Sequence, residues 1–527
     1  MKKYLLKRIL FSIFSLLVVV TVVMLLIFSL INRNVIFQMD DTWNKKALNE
    51  RTYYEYVQFQ KYSYLEFYDY NLFLKNKYEP IYGADYSNSD DFKKDKKAIQ
   101  DAEHYLENES VKEFYEYYGK KGYEIKYLEP QYSKRGKVKS GGTGYLLAID
   151  EKSPFLRLWK YIKGFFTVET TNSVKDETLT DRYIRFEKDP YSGLFAIVGS
   201  GTTHKYLLYF DSRFPWIHQN FIHLNLGTSY TTYRGQEITQ VITIPRGDMV
   251  YRELEFPNMI GTGQKENTAI DFHSLTYNPV EPSEMEQRLF PDRYTSYSYW
   301  INGLSMIENS FVMGFIATLI AYFLGLPLGI WMARKKDKLV DKIGNGYIIF
   351  IMAVPSLAYI FLFSTIGTKV FGLPYKFANA QVKFLGYILP TISLALPSIG
   401  SLMKWMRRYM IDQMNSDYVK FARAEGMSEK EIFKIHISRN AMIYLVHGIP
   451  ASILGCLTGA IMTERVYAVP GVGNLLTTAL NMHDNGVIVG VTVFYTSLSL
   501  ISLILGDLLL AKYDPRISLS EEGGGGR

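Results

Sequence analysis

Cysteine is nearly missing from this chain. The single Cys456 lies inside an apolar run, so no disulfide framework can form within the 527 residues and any exported part must fold by packing alone. Metal-ligand spacing is missing too: the eight histidines form no HExxH pair, none is paired with cysteine, and His218 and His223 do not share a helix face. No phosphate-binding loop occurs, because neither Gly119-Lys120 nor Gly136-Lys137 is followed by serine or threonine in a Walker pattern. The chain therefore supplies no ATP hydrolysis of its own, and no nucleophile–base arrangement suggests another enzyme activity. A formal net charge of +7 comes without a basic stripe interleaved with aromatics, and the excess sits beside apolar runs, so no nucleic acid is expected as a partner.

Long hydrophobic runs are absent from the middle of the chain, and the mean hydropathy of −0.05 hides this division. A hydrocarbon core about 30 Å thick needs roughly 20 apolar residues in a helix. The first such run covers residues 9–31 behind Lys2, Lys3, Lys7 and Arg8. It is longer than the core of a signal peptide and is followed by Asn32-Arg33-Asn34, so it reads as an anchor that stays. Further spans are predicted at residues 306–333, 347–370, 385–405, 442–462 and 487–510, giving six in all. Arg334, Lys335, Lys336, Lys338 and Lys342 mark one loop as cytoplasmic, and Lys404, Arg407 and Arg408 mark another. The expected topology has both termini in the cytoplasm and residues 32–299 exported, in a bacterial cell membrane whose lipid surrounds the spans. The tail 518–527, with four glycines in a row, reads as flexible.

The exported stretch is long enough for its own core, and a mixed α/β domain is expected. Residues 93–118 read as a charged helix. Residues 194–198 and 206–210 flank Gly199-Ser200-Gly201 and read as a hairpin, and residues 237–244 alternate like a strand. Most of the 42 tyrosines fall here, where they either present a contact surface or pack the core. Glu308 and Asp507 are the ionisable groups nearest to membrane depth, and both fit helix-end or paired roles.

The most informative segment is 415–440, NSDYVKFARAEGMSEKEIFKIHISRN. Asp417 can cap a short helix through Glu425, and Gly426 suits the left-handed position that ends it. Ser428 with Glu431 forms a capping-box pattern for a second helix, whose Ile432, Phe433, His436 and Ile437 recur at spacings of three and four. The result is a glycine elbow bearing an apolar knob, which calls either for a partner groove or for a lipid surface.

The run Asp417-Tyr418-Val419-Lys420-Phe421-Ala422-Arg423-Ala424-Glu425-Gly426, followed by Arg439-Asn440-Ala441, resembles the EAA loop of ABC importer permeases, in the version of oligopeptide and dipeptide permeases of the OppB type. Three further segments are similar to that family in the same order. They are Phe221 to Tyr230; Glu464-Arg465-Val466-Tyr467-Ala468-Val469-Pro470-Gly471-Val472-Gly473; and Asp507, Tyr513 with Asp514-Pro515-Arg516-Ile517. The long exported insert resembles that of the Ami-type permeases of Gram-positive bacteria. Lys420-Phe421-Ala422 departs from the general Glu-Ala-Ala opening, and Ser438-Arg439 replaces the general leucine-proline ending.

The resemblance implies a polytopic α-helical membrane protein with the type I ABC importer transmembrane fold of six helices. A mixed α/β extracytoplasmic domain would be inserted between helices 1 and 2. The parts would be residues 1–31 with the first helix, 32–299 outside, and a permease core at 300–517 with its coupling loop at 406–441. It further implies import of oligopeptides, a second homologous permease, two cytoplasmic ABC ATPases that use ATP and magnesium, and a peptide-binding lipoprotein. No cofactor would be bound by this chain itself. In the coupling loop Ile432, Phe433 and Ile437 would grip the ATPase, with Arg423, Lys430 and Lys434 orienting it, while Tyr418, Ala422, Ala424, Glu425, Ser428, Glu431, Arg439 and Asn440 complete the loop. Glu464, Pro470, Gly471, Gly473, Asp507, Asp514, Pro515 and Arg516 would serve the gate or its framework. An anchored receptor without transport, or a permease of the same family for nickel, are the other readings.

Overall fold

Residue 305 ends a polar stretch and begins an apolar one, and the fold divides there. The computed structural model describes residues 2–30, 32–213 and 215–513. Helix α1 (Lys2–Leu30) precedes the polar region, and α2 (Met306–Arg334) follows it. Ser305 and Glu308 form a reciprocal capping box at the start of α2, so Glu308 satisfies backbone donors at a helix end. Then come α3 (Leu339–Ala353), α4 (Ser356–Phe371), α5 (Lys383–Met414) and α6 (Asp417–Ala424). They are followed by α7 (Arg439–Val446), α8 (Ile449–Thr458), α9 (Ile461–Tyr467), α10 (Val472–Asn481) and α11 (Asn485–Tyr513). Among the described residues five helical runs are long and apolar enough to cross a membrane, with Glu429–Tyr467 counted as one, and up to six if the bent pair α3–α4 counts as one span.

Two of the expected spans differ from simple rods. The run at 347–370 is bent by 111° between α3 and α4. Pro355 has no N–H to continue a helix, and it drives Val354 into an extended conformation (φ −79°, ψ 130°). The run at 442–462 is broken into α7, α8 and α9. In contrast, α5 continues through Pro390 and Pro397 to Met414, so Arg407 and Arg408 lie on a helix and not in a loop that opens at 406.

Small residues set the helix packing. Ala317, Ala321, Gly325 and Gly329 recur every fourth position along α2 and are buried. A β-carbon at Gly329 would lie 2.9 Å from the Met403 carbonyl oxygen on α5, so backbone approaches backbone there. On α1, Val20, Met24 and Ile27 pack into one cluster with Val487 and Val491 of α11 and with Leu226, Ile238 and Val241 from the polar region.

Residues 32–305 form mixed α and β structure. Strands β1 (Leu65–Asp69), β2 (Glu124–Leu128) and β3 (Tyr145–Glu151) make an antiparallel sheet in the order β1-β3-β2. Strand β4 (Phe166–Val168) pairs with β9 (Ile222–Leu224). Between them β5 (Tyr183–Lys188), β6 (Phe195–Ser200), β7 (Tyr206–Phe210) and β8 (Ile217–Gln219) form a four-stranded antiparallel sheet. Two ribbons follow, β10 (Arg252–Leu254) with β11 (Glu266–Thr268) and β12 (Ile270–Tyr277) with β13 (Tyr294–Tyr299). The β6–β7 hairpin agrees with the sequence, although β6 runs on through Gly199 and Ser200 and the turn comes later.

Two local expectations do not hold. The stretch 93–118 is not one helix but two, Asp90–Ala98 and Glu109–Lys120, because Asn108 caps the second through its side chain at the Val111 N–H. Residues 237–244 are not a strand. Glu237 accepts from the N–H groups of Thr239 and Gln240 and caps the helix Ile238–Thr243, which buries Ile238, Val241 and Ile242 at helical spacing. Many tyrosines fill cores: Tyr70, Tyr78 and Tyr118 pack with Phe114, and Tyr206, Tyr209 and Tyr294 with Phe272 and Phe290.

Candidate functional site

The elbow is built by two local signals that act as the sequence suggests. Gly426 has φ +83°, in the left-handed region, and the N–H groups of Gly426 and Met427 bond back to the carbonyls of Arg423 and Ala422. After the bend, Ser428 and Glu431 complete a reciprocal capping box. Across the bend, Arg423 meets Glu429 at 2.6 Å, an exposed pair that ties the two arms together. Asp417 is not the cap: Ser416 occupies that position, and Asp417 is the first helical residue, paired with Lys420 at 2.8 Å. That pairing holds the Asp417 carboxyl below its ordinary value.

The second arm corrects the expected knob. It is a single turn, Glu429–Glu431, that passes into a π-helical stretch, Ile432–Ser438. Ile432 and Ile437 are fully buried against Ala333 of α2, Met406 and Met410 of α5, and Val419 and Ala422 of α6. Phe433 is half-buried beneath the Arg334 guanidinium. These three side chains therefore anchor the elbow to its own helices and do not form a free grip. The apolar groups left facing outward are Phe421, 70% exposed, and Ile435, 48% exposed, flanked by exposed Lys430, Lys434, Ala424, Glu425 and Arg439, with Tyr418 and Asn440 partly covered.

Above the elbow three carboxylates hold the helices together. Asp341 at the start of α3 receives a bidentate bond from Arg407 of α5, at 2.5 and 2.7 Å. Asp507 of α11 accepts from Tyr4 and Arg8 of α1, at 3.1 and 3.2 Å, which is a pairing between the first and last helices. Glu464 of α9 is fully buried and accepts from the Ser310 hydroxyl at 2.8 Å and from the N–H groups of Ala460 and Asn474. The turn 468–471 wraps this carboxylate so closely that a β-carbon at Gly471 would lie 2.3 Å from it, and one at Gly473 3.1 Å. The Pro470 carbonyl accepts from Asn309 of α2. Asp514, Pro515 and Arg516 lie outside the described residues.

Asp484 escaped the sequence reading. It is fully buried ahead of α11, where its carboxylate accepts from the Ser229 hydroxyl and from the N–H groups of Tyr230, Thr231, Thr232 and Val487. The bond to Val487 is an N-cap that the sequence could have signalled, but the four others come from some 250 residues away. A second missed cluster joins Glu169, His204 and His223, whose ligand atoms lie within 4.8 Å of one another. Histidine spacing along the chain gave no sign of it.

Residues 325–519, which carry the elbow and the Glu464 cradle, match the family described as "binding-protein-dependent transport system inner membrane component". Over its full length the chain is 36% identical to the oligopeptide transport system permease protein AmiC of Streptococcus pneumoniae serotype 4, across 99% of this chain and 100% of that protein. The chain belongs to the peptide-transporter permeases of this family. A dipeptide transport system permease, DppB of Bacillus subtilis strain 168, is 30% identical over 41% of the permease and 69% of its own length. Among solved structures, an inward-facing MetNI methionine ABC transporter overlaps 39% of the permease and 93% of that chain, at 13% identity and a TM-score of 0.32. The match to AmiC spans residues 32–305 as well as the helices, so the long insert is shared with that relative.

Proposed function

We propose that the permease is the translocation subunit of an oligopeptide importer, working by alternating access and driven by separate ATPases. The observation that carries this is the elbow. Its inner face is locked to α2 and α5 through Ile432 and Ile437, while Phe421 and Ile435 face outward. A push on that outer face is transmitted to two long helices without compressible packing between.

In this reading residues 406–441 and both termini are cytoplasmic, and residues 32–299 lie outside the cell in front of the core at 300–517. Two ABC ATPases bind below and consume ATP with magnesium, a second related permease completes the pathway, and an external peptide-binding lipoprotein delivers the cargo. The full-length likeness to AmiC supports oligopeptides over nickel as cargo. The test is recovery of partners from native membranes in mild detergent. The parent permease should bring down a second permease and two P-loop ATPases. The F421E/I435E variant, altered only at exposed positions, should lose the ATPases and keep the second permease. Recovery of the parent alone, under conditions that hold other importers together, would favour a receptor instead.

A further inference from the structure

Glu169 follows β4, His204 sits in the turn between β6 and β7, and His223 lies in β9. The β4–β9 pairing sets Thr167 opposite His223, and the Glu169 N–H continues that ladder to the Phe221 carbonyl. Glu169 is thereby turned inward, with its side chain 6% exposed, while His204 and His223 keep 24% and 36% exposure. One carboxylate oxygen faces Nδ1 of His204 at 2.5 Å and Nε2 of His223 at 2.7 Å, and the other accepts from the His204 backbone N–H. The two imidazoles stack with centroids 4.9 Å apart. Two imidazole nitrogens and a carboxylate oxygen thus converge on one point, all within 4.8 Å of one another.

We propose that Glu169, His204 and His223 form a binding site for a divalent transition-metal ion of the zinc type. Two imidazole nitrogens and one carboxylate oxygen are a suitable donor set for such an ion. Ligand bonds of roughly 2.0–2.2 Å place donors about 3.3 Å apart around a tetrahedral ion, so the contacts now at 2.5 and 2.7 Å must open by roughly 0.6–0.8 Å, which the partly exposed imidazoles can accommodate. Solvent access on the histidine side leaves a fourth position for water. Binding releases the protons held between the rings and the carboxylate. The ion would staple the β4–β9 ladder to the β6–β7 turn, a cross-link that a chain with one membrane-buried cysteine cannot make by disulfide.

The test uses the full permease, purified without a histidine tag and stripped with chelator. Cobalt(II), as a spectroscopic probe, should give one saturable set of visible bands per chain, displaced by zinc. Zinc should raise the thermal unfolding midpoint of the parent. The H204A/H223A variant should lose both effects, and E169Q should weaken cobalt binding by more than the roughly 10–100-fold typical of outer-shell losses. H223Q, altered at the most exposed ligand, serves as the variant least able to disturb folding and should weaken binding as well. Absence of saturable cobalt binding to the parent would overturn the proposal in favour of a proton shared within the cluster. Undiminished binding in H204A/H223A would also overturn it, by placing the ion elsewhere.

Discussion

Replacing Asp484 by asparagine isolates the contact that joins the region between α1 and α2 to the last helix. One carboxylate oxygen accepts from the N–H groups of Tyr230 and Val487, and the other from the Ser229 hydroxyl and the N–H groups of Thr231 and Thr232. An amide keeps one acceptor and turns the other into a donor. In its better orientation it retains the three-donor side and sets an NH2 group against Tyr230 and Val487. Two hydrogen bonds to a charged acceptor are then lost in a buried site, at about 1.5–3 kcal/mol each, or about 3–6 kcal/mol together. The D484N permease, with about 2.1 cal/mol/K of unfolding entropy per residue over 527 residues, should show a thermal unfolding midpoint lower by about 3–5 °C. Amide exchange should rise at residues 229–233 and at the start of α11, while the elbow stays protected. Unchanged protection at 229–233 in a folded D484N permease would refute the assignment of this carboxylate as the clamp.

At the elbow, G426V places a β-branched residue at φ +83° with no neighbour within 4 Å of its β-carbon, so the effect is backbone strain of about 1–2 kcal/mol. ATP-driven peptide uptake should fall in membrane vesicles, and normal uptake would count against the elbow as the coupling device. G471A drives a methyl into the Glu464 carboxylate and should destabilise by about 1–3 kcal/mol in thermal unfolding. G346A, in open space on α3, should leave stability unchanged or raise it. Asp176 is held at about 2 by hydrogen bonds from Thr178 and Tyr277 and by Arg293. Its folded value lies below its ordinary 3.8, so its stabilising contribution is full above that pH and is lost as pH falls through about 2. The stability deficit of D176N against the parent should therefore be constant above about pH 5, shrink as pH falls, and vanish toward about pH 1. A deficit that stays undiminished between about pH 5 and pH 1 would point to packing and not charge.

Features that depend on near neighbours along the chain were legible in the sequence. The apolar runs, the Gly426 bend, the Ser428–Glu431 box and the β6–β7 hairpin are each set within a few residues, by burial in lipid, by positive φ or by capping. The four family-like segments were legible for the same reason, since each is read as a contiguous string. The misreadings arose where two local patterns competed. Residues 237–244 satisfy both a period of two and a helical stripe, and the Glu237 cap decided for helix. Ile432 and Ile437 look like an exposed knob until α2 and α5 close over them, because periodicity defines an apolar face without saying what covers it.

By itself, then, the sequence determined that this is a membrane protein with a glycine elbow, because hydrocarbon thickness and backbone geometry act on contiguous residues. Tertiary structure alone decided which carboxylates matter: Asp484 reaches Ser229, Asp341 reaches Arg407, and Glu169 gathers one histidine from the β6–β7 turn and one from β9. Such partners lie tens to hundreds of residues apart, and only the folded path of the chain brings a buried charge to the donors that satisfy it.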